Sequence, residues 1–194
     1  MSTGEQAVTG RGRGTLGAIV ELANPVFIAL AVGVPFGAYL VAALSGNYYI
    51  LKYVHILTGA FWTGIDLFMG FVLGPVLGAL SPKDRTAVFK QLMPKMTFLM
   101  PTLAIVATTA GIQDAQRLGM FSPDFPWALA ITALLTLQGV GVLLPNEIQI
   151  FRQLLSPTPD VDQISRLGMR NAKLGGLQGL FQLVIIFIMV NLRY

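Results

Sequence analysis

The chain has 194 residues, of which 54% are hydrophobic and only 11% charged, with a mean hydropathy of +0.68. A soluble domain carries about 25% charged residues, so this chain lacks the surface that water requires and suits a lipid bilayer instead. It holds no cysteine and one histidine, which excludes disulfides, thiolate catalysis, iron–sulfur clusters, cysteine-ligated zinc and a multi-histidine metal site within one chain.

Residues 1–24 read as a cytoplasmic N-terminal segment carrying Arg11 and Arg13. The remainder, 25–194, reads as one all-α, polytopic transmembrane bundle. A span needs about 20 apolar residues to cross roughly 30 Å of hydrocarbon, and five stretches qualify. They are 25–45, 48–74, 97–114, 127–145 and 174–192. The first is longer than the apolar core of a signal peptide and no A-x-A site follows it, so it reads as a retained span. The second apolar run continues to Leu80, which predicts a tilt or a break at Gly74-Pro75. Pro35, Pro75 and Pro101 each remove a backbone donor, and a kink is expected at each.

Between the spans, Ser81-Pro82 with Asp84 is a helix-start signal, and Thr158-Pro-Asp repeats it before residues 161–170. Residues 146–155, NEIQIFRQLL, are amphipathic and predict a short interfacial helix. All three read as short helices tying spans together. Glycines four apart (Gly33/Gly37, Gly70/Gly74/Gly78, Gly175/Gly179) mark faces for close helix approach.

With the N-terminus cytoplasmic, ten of the thirteen lysines and arginines fall inside, and only Lys52, Arg117 and Arg193 fall outside. The positive-inside rule therefore predicts an inner-membrane protein with its N-terminus in the cytoplasm and its C-terminus outside. The charge of +4 is thus a topology signal. No basic run or nucleic-acid-binding signature accompanies it, and nucleic acid is excluded as a partner.

Within the second span, His55, Gly59, Trp62 and Asp66 recur at i, i+4, i+7 and i+11, on one helix face. At about 1.5 Å per residue, His55 sits roughly 10 Å and Asp66 roughly 25 Å from the outer end. Gly59 is expected to leave a gap beside His55. Asp66 is the one acid well inside a span, and an ionised acid there costs about 2.5–3.5 kcal/mol, so it must face the bundle interior and find donors. Gln138, Gln178 and Thr63 are the expected partners, and Gln182 shares a face with Gln178. A neutral imidazole ligates haem iron or copper. Met189 lies at about the depth of His55, and Met120 lies in the outer loop, so either offers a thioether opposite it. Met93, Met96 and Met100 share a face that fits Cu(I), although methionine also fills cores.

The run KYVHILTGAFWTG at 52–64 resembles the first helix of the CopD/HemJ-like superfamily, a group of small membrane proteins that includes copper-resistance proteins and HemJ-type protoporphyrinogen oxidases. The run NAKLGGLQGLFQLVIIFIMV at 171–190 is similar to the last helix of such proteins. The resemblance covers roughly 48–192, and implies a four-helix core over those residues with the first span as an addition. It also implies haem b on His55. HemJ-type proteins use a lysine in a later helix, and Lys95, at the inner edge, is the nearest one here.

Three functions follow as expectations. One is a haem b protein of electron transfer or haem metabolism, with His55 as ligand and Trp62 lining the pocket. Another is a non-enzymatic accessory subunit, joined to other membrane subunits or to copies of itself. The last is a small transporter or proton path that uses Asp66.

Overall fold

The structure is a computed structural model, and it describes residues 15–117, 119 and 125–191. Arg11, Arg13, Met120 and Arg193 lie outside the described residues. The described chain is all-helical, with no strand among those residues, and five of its helices are long and apolar enough to cross a membrane. In chain order the helices are α1 (Thr15–Ala23), α2 (Pro25–Ser45), α3 (Tyr48–Gly78), α4 (Pro82–Arg117), α5 (Phe125–Leu154) and α6 (Val161–Asn191).

Local chemistry fixes the turns. Gly46 ends α2 in the left-handed conformation (φ 66°), and the Asn47 side chain then accepts the Tyr49 N–H to start α3. At the other end of the bundle the Ser81 hydroxyl accepts the Asp84 N–H and donates to its carboxylate, as the sequence predicts. The second cap falls on Asp160, whose side chain accepts the Gln163 N–H. Arg85 closes the α3 C-terminus: its guanidinium donates to the carbonyls of Leu77, Gly78 and Leu80 and to the Ser165 hydroxyl of α6. A cation is well placed there, against the negative end of the helix.

The three expected tie helices are not separate. Residues 82–94 are the start of α4, 146–154 the end of α5 and 161–170 the start of α6. Hydropathy marks where the apolar window stops, while the backbone continues its hydrogen bonding past that point. At 36 residues α4 is about 54 Å long. The extensions pack on one another through Leu77, Phe89, Met93, Ile150, Phe151, Ile164 and Leu167. Ile19 of α1 joins that cluster, so part of the 1–24 segment belongs to the bundle.

Gly74-Pro75 is not a break. The turn Phe68–Leu73 widens to a π-helix, and the Gly74 N–H reaches back to Met69. A second widened turn, Gly139–Leu143, precedes Pro145, and there the Leu144 N–H reaches Gly139. A proline ring presses on the carbonyl four residues before it, and the extra residue in the turn relieves that contact. The helices therefore pass through both prolines.

At the centre α3 and α6 touch backbone to backbone. A Cβ on Gly176 would lie 2.7 Å from the Gly70 Cα, and a Cβ on Gly179 would lie 2.8 Å from the Leu67 side chain. A Cβ on Gly33 or Gly37 of α2 would meet nothing within 4 Å, so this face packs on no helix among the described residues. α2 lies at the margin, against α3 and α4, with large side chains such as Val34, Val41 and Leu44 exposed.

Gly176→Ala is therefore expected to destabilise the bundle by about 1–3 kcal/mol through overpacking. Gly33→Ala, in open space, should gain helix propensity of up to about 1 kcal/mol. Thermal unfolding in detergent checks the opposite signs.

Candidate functional site

A cavity of about 530 Å³ opens between α3, α4, α5 and α6, towards the Asn47 end of the bundle. That volume is in the range of about 300–1,000 Å³ typical of ligand and cofactor pockets. Four residues singled out in the sequence, His55, Gly59, Trp62 and Met189, all line it, and Gln182 forms part of its wall. Lys52 and Asp114 add charged groups, while α5 contributes mainly apolar side chains.

The His55 ring crosses to α4, where its Nδ1 lies 2.8 Å from the Ala107 carbonyl oxygen. A carbonyl only accepts, so Nδ1 carries the proton and donates. The neutral ring then keeps its lone pair on Nε2. No described protein group hydrogen-bonds Nε2. Room for the ring comes from Gly111, where a Cβ would lie 2.6 Å from Cε1 of the imidazole and 2.8 Å from Nδ1. Gly59, expected to leave the gap, meets only the Ala107 Cβ at 4.0 Å and forms open cavity wall. Asp114 is buried, its Oδ1 has no hydrogen-bond partner among the described residues, and it lies in the field of Lys52 and Arg117.

Asp66 occupies a different compartment. Its Oδ2 accepts the side-chain N–H groups of Gln178 and Gln182, each at 2.9 Å. Two other expected partners are engaged elsewhere. Gln138 donates to the Leu174 carbonyl at 3.0 Å, and Thr63 lines the His55 cavity. Gly175 leaves space for the carboxylate, since a Cβ there would lie 3.2 Å from Oδ1.

On the Arg85 side of Asp66 is a second cavity, of about 70 Å³, which Asp66 shares with Glu147 of α5. Met69, Met93, Met96 and Met100 surround it, with Asn171 and Gln178. Lys95 lines neither cavity: its Nζ donates to the Gln91 carbonyl, and the lysine beside His55 is Lys52. No group of three or more histidine, aspartate or glutamate residues able to hold a metal occurs among the described residues.

Sequence reading missed Gly111, Asp114 and Glu147. Glu147 sat outside the apolar window because Pro145 was taken as the end of its span. Asp114 was the last residue of its window. Gly111 has no sequence signal of its own, because its role depends on which α4 residue faces His55. No family model matches the chain, and no curated protein or solved structure matches it.

The single histidine makes one measurement site-specific. With ¹⁵N-labelled histidine, the NMR shifts should report the Nδ1–H tautomer in the wild type. Gly111→Ala should displace the ring and replace that signal by an exchanging mixture of tautomers.

Proposed function

We propose that the chain is a multi-pass inner-membrane protein whose His55 cavity holds haem b, for electron transfer or haem metabolism, and that it belongs with the CopD/HemJ-like superfamily. One observation carries this reading: His55 is held by Nδ1, with Nε2 unpartnered at a large cavity that Met189 also lines. The donor set fits the group. A neutral imidazole and a thioether are both haem ligands, and the walls are apolar and aromatic with a lysine at hand for a carboxylate.

Bound there, haem b would supply one-electron transfer. The residues of the chain do the rest. His55 would hold the iron through Nε2, and the Ala107 carbonyl fixes the ring and would raise its basicity. Gly111 admits the ring, Trp62 walls the cavity, and Lys52, whose Nζ donates to the Tyr48 hydroxyl, puts a positive charge on the wall that would suit a carboxylate-bearing group. The proposed orientation, N-terminus inside and C-terminus outside, puts this cavity in the outer half of the membrane, and the basic residues around Arg85 support it.

A reduced-minus-oxidised visible spectrum of protein purified after expression with ample haem tests the reading. A b-type band is expected, lost in His55→Ala and changed in spin state in Met189→Leu. A colourless wild-type protein would overturn it.

A partner is proposed as well, either another membrane subunit or a second copy. Gly33 and Gly37 support it, since a Cβ on either, one helical turn apart, would meet nothing within 4 Å among the described residues. Gly37→Leu is then expected to reduce the assembled mass, read by light scattering in detergent. An unchanged monomer in both proteins would overturn it.

A further inference from the structure

The cavity between Asp66 and Glu147 has no role in the haem reading. Its volume of about 70 Å³ holds one or two waters, at about 30 Å³ each. Two carboxyl groups, from α3 and α5, line it, and no lysine, arginine or histidine does. α4 presents methionines to it and α6 presents Asn171 and Gln178, both amides. Two carboxylates facing one small cavity within the membrane, without a cation among the described residues, need a positive occupant.

Three observations point to a proton as that occupant and to its way in. The Thr97 hydroxyl lies 2.8 Å from Glu147 Oε2 and 2.9 Å from the Met93 carbonyl oxygen. One hydroxyl proton serves one acceptor at a time. Both contacts are satisfied together when Glu147 carries a proton and donates it to Thr97, which donates onward to Met93. Gln178 is the second case. Its side chain is 5% exposed and lines the cavity, and its Oε1 has no partner while its N–H binds Asp66. That is a buried acceptor without a donor. The third is Gln182, which donates to Asp66 and also lines the His55 cavity, so one side chain separates the two compartments.

We propose that Asp66 and Glu147 form a proton-binding pair that exchanges protons with the His55 cavity past Gln182. A hydronium in the His55 cavity gives up a proton, its O–H bond breaking to leave water, as an O–H bond forms on the Asp66 carboxylate. Cavity water then carries it to Glu147, where an O–H bond forms as Asp66 returns to carboxylate. One proton moves and no electron does. The pair stands independently of haem.

Infrared spectroscopy of the haem-free protein in lipid nanodiscs tests this. A carbonyl stretch from protonated carboxyl groups is expected in the wild type, shifting in D₂O. Glu147→Gln should remove part of it, Asp66→Asn should shift the part that Glu147 carries, and His55→Ala should leave it intact, so loss of the haem reading does not touch this result. Labelling glutamate with ¹³C in the unaltered chain should shift the Glu147 part without any substitution, as Glu5 and Glu21 lie outside the spans. Gln182→Leu should keep the band and slow its exchange in D₂O severalfold. No such band in the wild type, or a band that neither variant nor label alters, would overturn the pair. Unchanged exchange in Gln182→Leu would overturn the route.

Discussion

The contact of α3 with α6 at Gly70 and Gly176 brings Asp66 to the two glutamines that hold it. Burial does not drive helices together in lipid, because the tails are as apolar as leucine, so the depth of approach is decided by side-chain size. With no Cβ on either side, the two backbones meet. Asp66 then lies one turn from the crossing and within reach of Gln178 and Gln182. A wider separation would leave a carboxylate without donors where water cannot supply them. The same approach presses Gly175 against the carboxylate and Gly179 against Leu67, which is why α6 needs small residues at successive turns.

The two widened turns act on the same region. Met69 belongs to the π turn before Pro75, Leu143 to the one before Pro145, and both line the small cavity beside Asp66. Each extra residue shifts the following helix face by about 100°, turning the segments after the prolines to new neighbours. Glu147, two residues past Pro145, meets the Thr97 hydroxyl at 2.8 Å. The loosened backbone is also satisfied locally, because Asn171 donates to the Leu143 carbonyl at 3.2 Å and accepts from Asn146 at 2.7 Å. Two prolines that a helix would ordinarily reject thus shape the compartment that holds the acid pair.

The five spans were legible because the hydrocarbon sets their length, and the grouping of His55, Gly59 and Trp62 because helix periodicity is fixed. Met189 reached the same cavity because depth alone sufficed to match it to His55. Continuity of α4, α5 and α6 beyond the apolar windows was not legible, since charges report where lipid ends and say nothing of where a helix ends. Gly33/Gly37 and Gly70/Gly74 look alike in sequence, yet only Gly70 meets a partner backbone. That difference depends on which helix lies opposite, and a single sequence does not encode it locally. Glu147 escaped for a related reason: a proline read as a stop was in fact accommodated by one wide turn.

His55 and Asp66 share a helix face but not an environment, and the reason lies in what each meets. His55 meets Ala107 and Gly111, side chains too small to fill the space between α3 and α4, so its ring turns onto a backbone carbonyl and a large cavity remains beside it. Asp66 meets two glutamines and the tight crossing, so it is enclosed and the space beside it holds little more than water. Gln182 stands between them with one side-chain N–H on Asp66 and its carbonyl oxygen unpartnered among the described residues. An amide that neither gains nor loses a proton can hold the acid in place without neutralising it. A lysine at the same position would pair with Asp66 permanently, and a leucine would close the wall. The polar groups of this sparse interior therefore separate a site suited to a large planar ligand from one suited to a proton, at two depths along one helix face.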